Sequence, residues 1–165
     1  GLVRHLLQSL LSISPRTLSE EKMINKDRLT EQLMVHEGLK LQPYKCTAGK
    51  LTIGVGRNLD DVGITDTEAK FMLENDVARC MGECAREFDW FVDAPELIKE
   101  AVINLVFNMG ISRFRKFKKT IDHLSRKEYT LAGAELLNSR YAEQVPRRSE
   151  EIANQIADCQ STSDS

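Results

Sequence analysis

The apolar segment Leu97–Met109 constrains the fold of this 165-residue chain more than any other part of the sequence. Apolar residues fall on nearly every face of the helix that this segment predicts, and only Asn104 and Asn108 interrupt them. A helix that is apolar all round must be buried inside a domain. The segment therefore predicts the central helix of a helical lobe, with Asn104 acting as a hydrogen-bonding residue of the core.

The neighbouring segments also predict helices. Apolar residues in steps of three and four run from Ala69 to Phe88 and predict one long helix, which Gly82 could interrupt. Thr65 with Glu68, and Asp93 with Glu96, have the spacing of capping boxes. Further helices are predicted over Lys116–Leu124, over Thr130–Ser139, and from Pro146 onward with Ile152, Ile156 and Cys159 on one face.

A small β element is predicted near the start of the domain. A helix capped by Asp27 should run to Glu37 and stop at Gly38. The turn signal Thr47–Lys50 and the β-branched run Leu51–Gly56 then predict a hairpin to about residue 57, followed by a loop over residues 58–64. The expected fold is α+β and mainly α, in two lobes around a cleft: a small β-hairpin lobe, a long connecting helix and a helical lobe.

The sequence divides into an arm and linker over residues 1–27, a domain over 28–159 and a flexible tail over 160–165. Residues 1–14 have leucines on one helical stripe and predict an amphipathic helix, too short and polar to span a bilayer. The segment lacks a clean signal-peptide pattern. Packing against the domain or a partner, contact with a membrane surface, and the remnant of an export segment all remain open. The start at Gly1 is typical of a processed or truncated chain.

Charge is distributed unevenly. The content of 41% apolar and 29% charged residues is typical of a soluble globular protein, and the net charge is −2. Residues 59–100 carry 12 acids against 4 bases, whereas residues 101–150 carry 5 acids against 10 bases. Two interpretations of this pattern remain open. The charges can lie on complementary, solvated helix faces, or the basic part can form a positive flank that faces an anionic polymer.

The basic run 113–119 interleaves five bases with Phe114 and Phe117. A solvated helix start with both rings turned inward, and attraction to an anionic wall or membrane, are the two interpretations. No other nucleic-acid motif accompanies the run, so we expect no nucleic-acid partner.

The cysteines and histidines predict no metal site. Cys46, Cys80, Cys84 and Cys159 lack zinc-ligand spacing, and the three histidines are scattered. We therefore expect no metal and no cofactor. All but Cys46 are expected to be reduced thiols in the core.

Candidate chemistry is concentrated between His36 and Gly56. Glu37 lies at a predicted helix end, facing a hairpin that carries the Cys46 thiol and the Thr52 hydroxyl. A carboxyl group shielded by packed side chains keeps its proton near neutral pH, which suits general acid catalysis.

This stretch resembles the active-site segment of phage-type lysozymes, the T4-lysozyme-like muramidases. Their motif is a Glu, eight residues, an Asp or Cys, five residues and a Thr, and Glu37, Cys46 and Thr52 match both spacings. Tyr44 and Gly54-Val55-Gly56 also match. The resemblance covers roughly residues 28–159 and includes Ala101–Gly110 as the family's central helix and residues 138–148 as a segment lining the cleft.

The resemblance implies an endolysin that hydrolyses the β-1,4 bond between N-acetylmuramic acid and N-acetylglucosamine in peptidoglycan and lyses the host cell. Such a protein is made in the host bacterial cytoplasm and acts on the periplasmic cell wall, and we expect a monomer. Glu37 would be the general acid, and Cys46 with Thr52 would supply the nucleophile or position water. A low dielectric and a neighbouring acid would oppose ionisation of the Cys46 thiol.

Supporting roles follow from the same resemblance. Arg148 would pair with Glu37 across the cleft, and Asn108 would meet the substrate. Tyr44 would either support the acid through its hydroxyl or simply pack.

Three alternatives remain open. The carboxylate-to-thiol change could leave a peptidoglycan-binding module without catalysis. A lytic transglycosylase, which needs only one acid/base carboxylate, is the second. The third is a protein that residues 1–14 make membrane-active or autoregulated. Redox control through a disulfide of Cys46 is a further hypothesis.

Overall fold

The computed structural model describes residues 23–160, so the predicted amphipathic helix over residues 1–14 lies outside the described residues. The chain forms two compact units, one up to Thr65 and the other from Asp66 onward. Residues 23–160 contain eight helices and one three-stranded antiparallel sheet, which confirms the mainly helical α+β class. None of the helices in this range combines the length and apolar character needed to cross a membrane.

The first unit begins with helix α1, Lys26–Glu37. Its N-cap is Asn25, whose side chain accepts a 2.9 Å hydrogen bond from the backbone N–H of Arg28, so the predicted cap at Asp27 is wrong. Asn25 has the extended backbone of an N-cap, and Asp27 lies in the first turn, where its charge favours the helix dipole. The helix ends at Gly38 as predicted. The φ of +74° at Gly38 is readily adopted by glycine.

The sheet consists of β1 (Lys40–Lys45), β2 (Leu51–Gly54) and β3 (Arg57–Asn58), in that order. The predicted turn joins β1 and β2, and the Gly49 N–H donates to the Cys46 carbonyl at 2.8 Å. The prediction of one hairpin with a loop from residue 58 is wrong, because Asn58 pairs with Thr52 in a third strand. The strand predicted through residue 56 stops at Gly54, because the chain reverses there through a short turn at residues 55–56.

The second unit is helical. Its helices are α2 (Asp66–Glu87), α3 (Glu96–Met109), α4 (Ile111–Phe114), α5 (Lys118–Ser125), α6 (Tyr129–Leu137), α7 (Arg140–Gln144) and α8 (Pro146–Asp158). The long helix α2 is continuous through Gly82. Helices α4 and α7 were not predicted, because four or five residues are too few to show a helical period.

Helix α3 provides much of the core. Its side chains Ile98, Val102 and Leu105 are completely buried. The prediction that α3 is apolar and buried all round is wrong on one side, because Leu97 is 51% and Phe107 43% exposed.

The start of α3 also differs from the prediction. Pro95 occupies the N-cap position with no side-chain cap, so the predicted capping box of Asp93 and Glu96 does not form. Asp93 lies two residues before that cap, outside the position from which a side chain caps a helix.

The other helices of this unit also contribute to the core, including the short ones, since Leu124 of α5 and Tyr141 of α7 belong to it. Cys80, Cys84 and Cys159 are buried free thiols, as predicted. Ring packing around Phe114 confirms that the basic run turns its aromatic residues inward: Phe88 contacts Phe114 edge-on, and Phe117 stacks on it.

Candidate active site

The end of α1 places Glu37 beside the chain reversal that follows β2. A Cβ atom at Gly56 would lie 3.3 Å from Oε2 of Glu37, so this position leaves little room for a side chain. The φ of +75° at Gly56 independently favours glycine. Glu37 itself is exposed, so the expectation of a carboxyl group shielded by packed side chains is wrong.

Cys46 follows β1 directly and is a half-buried free thiol. Its pKa is lowered from the ordinary value of 9.0, chiefly because the backbone N–H of Lys50 donates a hydrogen bond to the sulfur. The backbone of Ala48 lowers the pKa further, desolvation opposes both by a smaller amount, and the Thr52 side chain adds a still smaller lowering. The tight turn therefore favours the thiolate, contrary to the expectation that the surroundings oppose ionisation.

Thr52 is the buried residue of β2, only 4% exposed. Its hydroxyl donates to the Lys50 carbonyl at 3.0 Å and also lies close enough to Cys46 to stabilise the thiolate. A hydroxyl carries one proton, so the Thr52 donor can be directed either to this carbonyl or to the sulfur. The direction of the Thr52 hydroxyl therefore depends on whether the Cys46 sulfur is charged.

Tyr44 lies directly opposite Thr52 in the β1–β2 pairing. Lys40 Nζ lies 4.2 Å from the centroid of the Tyr44 ring, in cation–π contact. No hydrogen bond of the Tyr44 hydroxyl joins it to another described residue. Of the two predicted roles for Tyr44, the contacts of the ring favour packing.

Hydrogen bonds and an ion pair from the loop after β3 stabilise the turn between β1 and β2. The Asp60 carboxylate accepts a 2.8 Å hydrogen bond from the Leu51 N–H, and Lys50 Nζ forms a 3.0 Å ion pair with Asp61. Asn58 donates to Asp61 at 2.9 Å. Residues 60 and 61 thus fix the segment that carries the donor to Cys46. The sequence did not predict this role for residues 60 and 61, because nothing in the sequence of a loop indicates which residues its acids will contact.

The predicted site residues Asn108 and Arg148 belong to the second unit. Asn108 Oδ1 accepts a 2.7 Å hydrogen bond from the Tyr141 hydroxyl. Arg148 donates to Asn104 Oδ1 at 2.6 Å and 3.1 Å. Asn104 is exposed and its partner is a guanidinium, so the prediction that it is a hydrogen-bonding residue of the core is wrong. The pairing of Arg148 with Glu37 stays a prediction.

No group of three or more histidine, cysteine or carboxylate side chains within residues 23–160 is arranged to hold a metal ion. The candidate chemistry of the first unit consists of a carboxylic acid, a thiol of lowered pKa and a hydroxyl. A set of this kind serves acid–base or nucleophilic hydrolysis.

Comparison with known proteins defines the class. The phage lysozyme family matches residues 34–151, a range that includes every candidate site residue named above. This chain belongs to the phage lysozyme family, whose members are glycosidase-type hydrolases.

Relatives come from both phages and a eukaryote. The chain is 28% identical over 153 residues to the probable T4-type lysozyme 2 of Dictyostelium discoideum, covering 75% of this chain and 90% of the relative. It is 31% identical over 106 residues to the endolysin of Acyrthosiphon pisum secondary endosymbiont phage 1, covering 62% of this chain and 70% of the relative. The SAR-endolysin of Bacteriophage PS119 is 32% identical over 85 residues, 48% of each chain.

Proposed function

We propose that this protein is a lysozyme that hydrolyses the β-1,4 bond between N-acetylmuramic acid and N-acetylglucosamine in bacterial peptidoglycan. Glu37 acts as the general acid, and Cys46 with Thr52 supplies the attacking or water-activating group. The observation that carries the proposal is the turn around Cys46, whose backbone donors lower the pKa of the thiol in the place where a carboxylate usually serves.

The proton balance of the reaction assigns the two roles. Glu37 gives its proton to the glycosidic oxygen as the bond from that oxygen to the anomeric carbon breaks. When the Cys46 thiolate acts as a base, it takes a proton from a water held by Thr52, and the water oxygen bonds to the anomeric carbon. When the thiolate attacks that carbon itself, it forms a covalent thioglycoside, which water then hydrolyses.

Clearance of peptidoglycan turbidity tests the assignment of Glu37. We expect the wild-type protein to clear the suspension, Glu37→Gln to be inert, and Glu31→Gln, an exposed acid on the same helix, to clear normally. Activity retained in Glu37→Gln would contradict the proposal.

Variants of Cys46 test the thiol. Cys46→Asp should retain activity, because it restores a base of similar reach, and Cys46→Ser should lose most of it, because an alcohol does not ionise near neutral pH. A silent wild-type protein with an active Cys46→Asp variant would instead identify a peptidoglycan-binding module. Cys159→Ser, at a buried thiol in the other unit, is the matched control.

The product distinguishes the remaining mechanisms. An inverted anomer detected by NMR would assign Cys46 as a base, and a retained anomer would assign it as the nucleophile. Mass spectrometry separates hydrolysis, which adds one water, from transglycosylation, which yields an anhydro product.

The biological role extends the same proposal. We infer that the protein is made in the host bacterial cytoplasm and lyses the host from the periplasmic side, as an endolysin does. Asn108 and Arg148 are proposed to contact the glycan or the acid during this reaction. Monomeric behaviour in solution is expected, and light scattering measures it.

A further inference from the structure

The peptide group between Lys50 and Leu51 lies where the turn that carries Cys46 ends and β2 begins. Its carbonyl, on Lys50, accepts a 3.0 Å hydrogen bond from the Cys46 N–H and another of 3.0 Å from the Thr52 hydroxyl. Its N–H, on Leu51, donates to Asp60 Oδ2 at 2.8 Å. Both polar groups of one planar unit are therefore bound, so these three contacts together determine how the plane is oriented.

The orientation of this peptide group matters for the Cys46 sulfur. The preceding peptide group supplies the Lys50 N–H, which donates to the sulfur and is the chief cause of the lowered pKa. The Thr52 hydroxyl, which lowers the pKa by less, is directed by the carbonyl of Lys50. Rotation of the peptide group between Lys50 and Leu51 would therefore disturb both donors.

Asp60 is exposed, yet the backbone on either side of it is held in place. Before it, the Leu59 N–H donates to the Leu51 carbonyl at 2.7 Å. After it, the Asp61 N–H donates to Asn58 Oδ1 at 3.0 Å, and Asn58 Nδ2 donates back to Asp61 Oδ2 at 2.9 Å. Asn58 belongs to β3, which pairs with β2. The sheet thereby fixes the position from which the Asp60 carboxylate reaches Leu51.

We propose that Asp60 is a positioning residue of the reaction, which holds the peptide group between Lys50 and Leu51 so that the donors of the turn stay directed at the Cys46 sulfur. The proposal rests on the proposed function, because Asp60 takes part in the reaction through the thiol. A charge-assisted hydrogen bond from a backbone N–H to a carboxylate is roughly twice as strong as a neutral one, which suits a contact in an exposed turn.

The sign of the effect separates positioning from simple charge. Loss of a donor to the thiolate raises the pKa of a thiol, whereas loss of a neighbouring negative charge lowers it. The other charged side chains of the turn and of the loop that contacts it are Lys45, Lys50 and Asp61, and the last two pair with each other at 3.0 Å. Substitution of Asp60 leaves these three charges in place.

The pH dependence of iodoacetamide alkylation at Cys46, followed by peptide mapping of the full-length protein, tests the proposal. In Asp60→Ala the midpoint of the profile should move to higher pH, and the rate at pH 7 should fall about threefold to tenfold. In Asp60→Asn the amide oxygen still accepts from the Leu51 N–H, so the midpoint should stay at or just below that of the wild type. Glu31→Ala, at an exposed acid of the same unit, is the control and should leave the midpoint unchanged.

An unchanged or lowered midpoint in Asp60→Ala would overturn the proposal, and so would an equal rise in Asp60→Asn. A measurement on the wild-type protein covers the case in which Asp60→Ala does not fold. The amide resonances of Leu51 and Lys50 should shift together as the Asp60 carboxylate is titrated. A titration that moves neither resonance, or that of Leu51 alone, would contradict the positioning role.

The clearance assay separates this proposal from the proposed function. When the Cys46 thiolate takes part in catalysis, the rising limb of the clearance rate against pH should move in Asp60→Ala by the same interval as the alkylation midpoint. A shifted midpoint with an unshifted limb would support the positioning of the thiol and refute its catalytic role. Clearance by Glu37→Gln would refute the catalytic proposal alone, because alkylation of Cys46 does not depend on Glu37 acting as an acid.

Discussion

Helices α6 and α8 of the second unit approach each other closely at Gly133. A Cβ atom there would lie 2.7 Å from the backbone carbonyl oxygen of Ala153 on α8, about 0.7 Å closer than ordinary contact begins. It would also lie 3.4 Å from the Cβ of Ala157. Because a helix backbone cannot rotate away as a side chain does, Gly133→Ala must separate α6 from α8.

Two opposing effects determine how much Gly133→Ala changes the free energy of unfolding. Overpacking of a dense core costs about 1–3 kcal/mol, and the clash with backbone favours the upper end of that range. Alanine recovers up to about 1 kcal/mol of helix propensity relative to glycine. We therefore expect Gly133→Ala to lower the free energy of unfolding by about 2 kcal/mol. For a chain of this size, Tm should fall by about 4–8 °C.

Gly82 on α2 is the matched control. A Cβ atom there would meet only the mobile end of Arg86, with Nη1 at 3.2 Å. Gly82→Ala should therefore raise stability by up to about 1 kcal/mol through helix propensity alone. Thermal and urea unfolding followed by circular dichroism measure both variants. A Tm for Gly133→Ala at or above that of the wild type would refute the reasoning, and so would an equal loss at Gly82.

Four further predictions concern a buried hydroxyl, two thiols and the close contact of Gly56 with Glu37. Ser149 is completely buried and its hydroxyl has no hydrogen-bond partner among the described residues, so Ser149→Ala should stabilise the fold by about 1 kcal/mol in urea unfolding. Below pH 9, iodoacetamide should modify Cys46 faster in the native protein than in the unfolded protein, because the lowered pKa enlarges the thiolate fraction; a slower native reaction would contradict this. Cys84, whose pKa burial raises to about 12, should stay unmodified until the protein unfolds, as peptide mapping can establish. Gly56→Ala should lose about tenfold or more of the clearance activity, because it displaces Glu37, while a normal rate would show that the close contact is dispensable.

The sequence alone predicted features that depend on neighbours along the chain. Helical periodicity located α2 and α8, because an amphipathic helix repeats its apolar residues at a fixed spacing. Gly38 predicted the end of α1, because the left-handed conformation is readily adopted by glycine. The spacing of the Glu, Cys and Thr residues predicted the family through resemblance, which the family match confirmed.

Tertiary structure decided what depends on residues distant in sequence. The partner of Arg148 is Asn104, 44 positions away, and no local pattern specifies that hydrogen bond. A hollow of about 350 Å³ forms where the start of α5 meets the end of α6, although the basic run itself was visible in the sequence. The pKa of Cys46 falls because the turn directs backbone amides to the sulfur, which depends on geometry and not on residue type. Composition and spacing therefore determined the elements and the chemical groups, whereas folding determined which donors, charges and backbone atoms surround them.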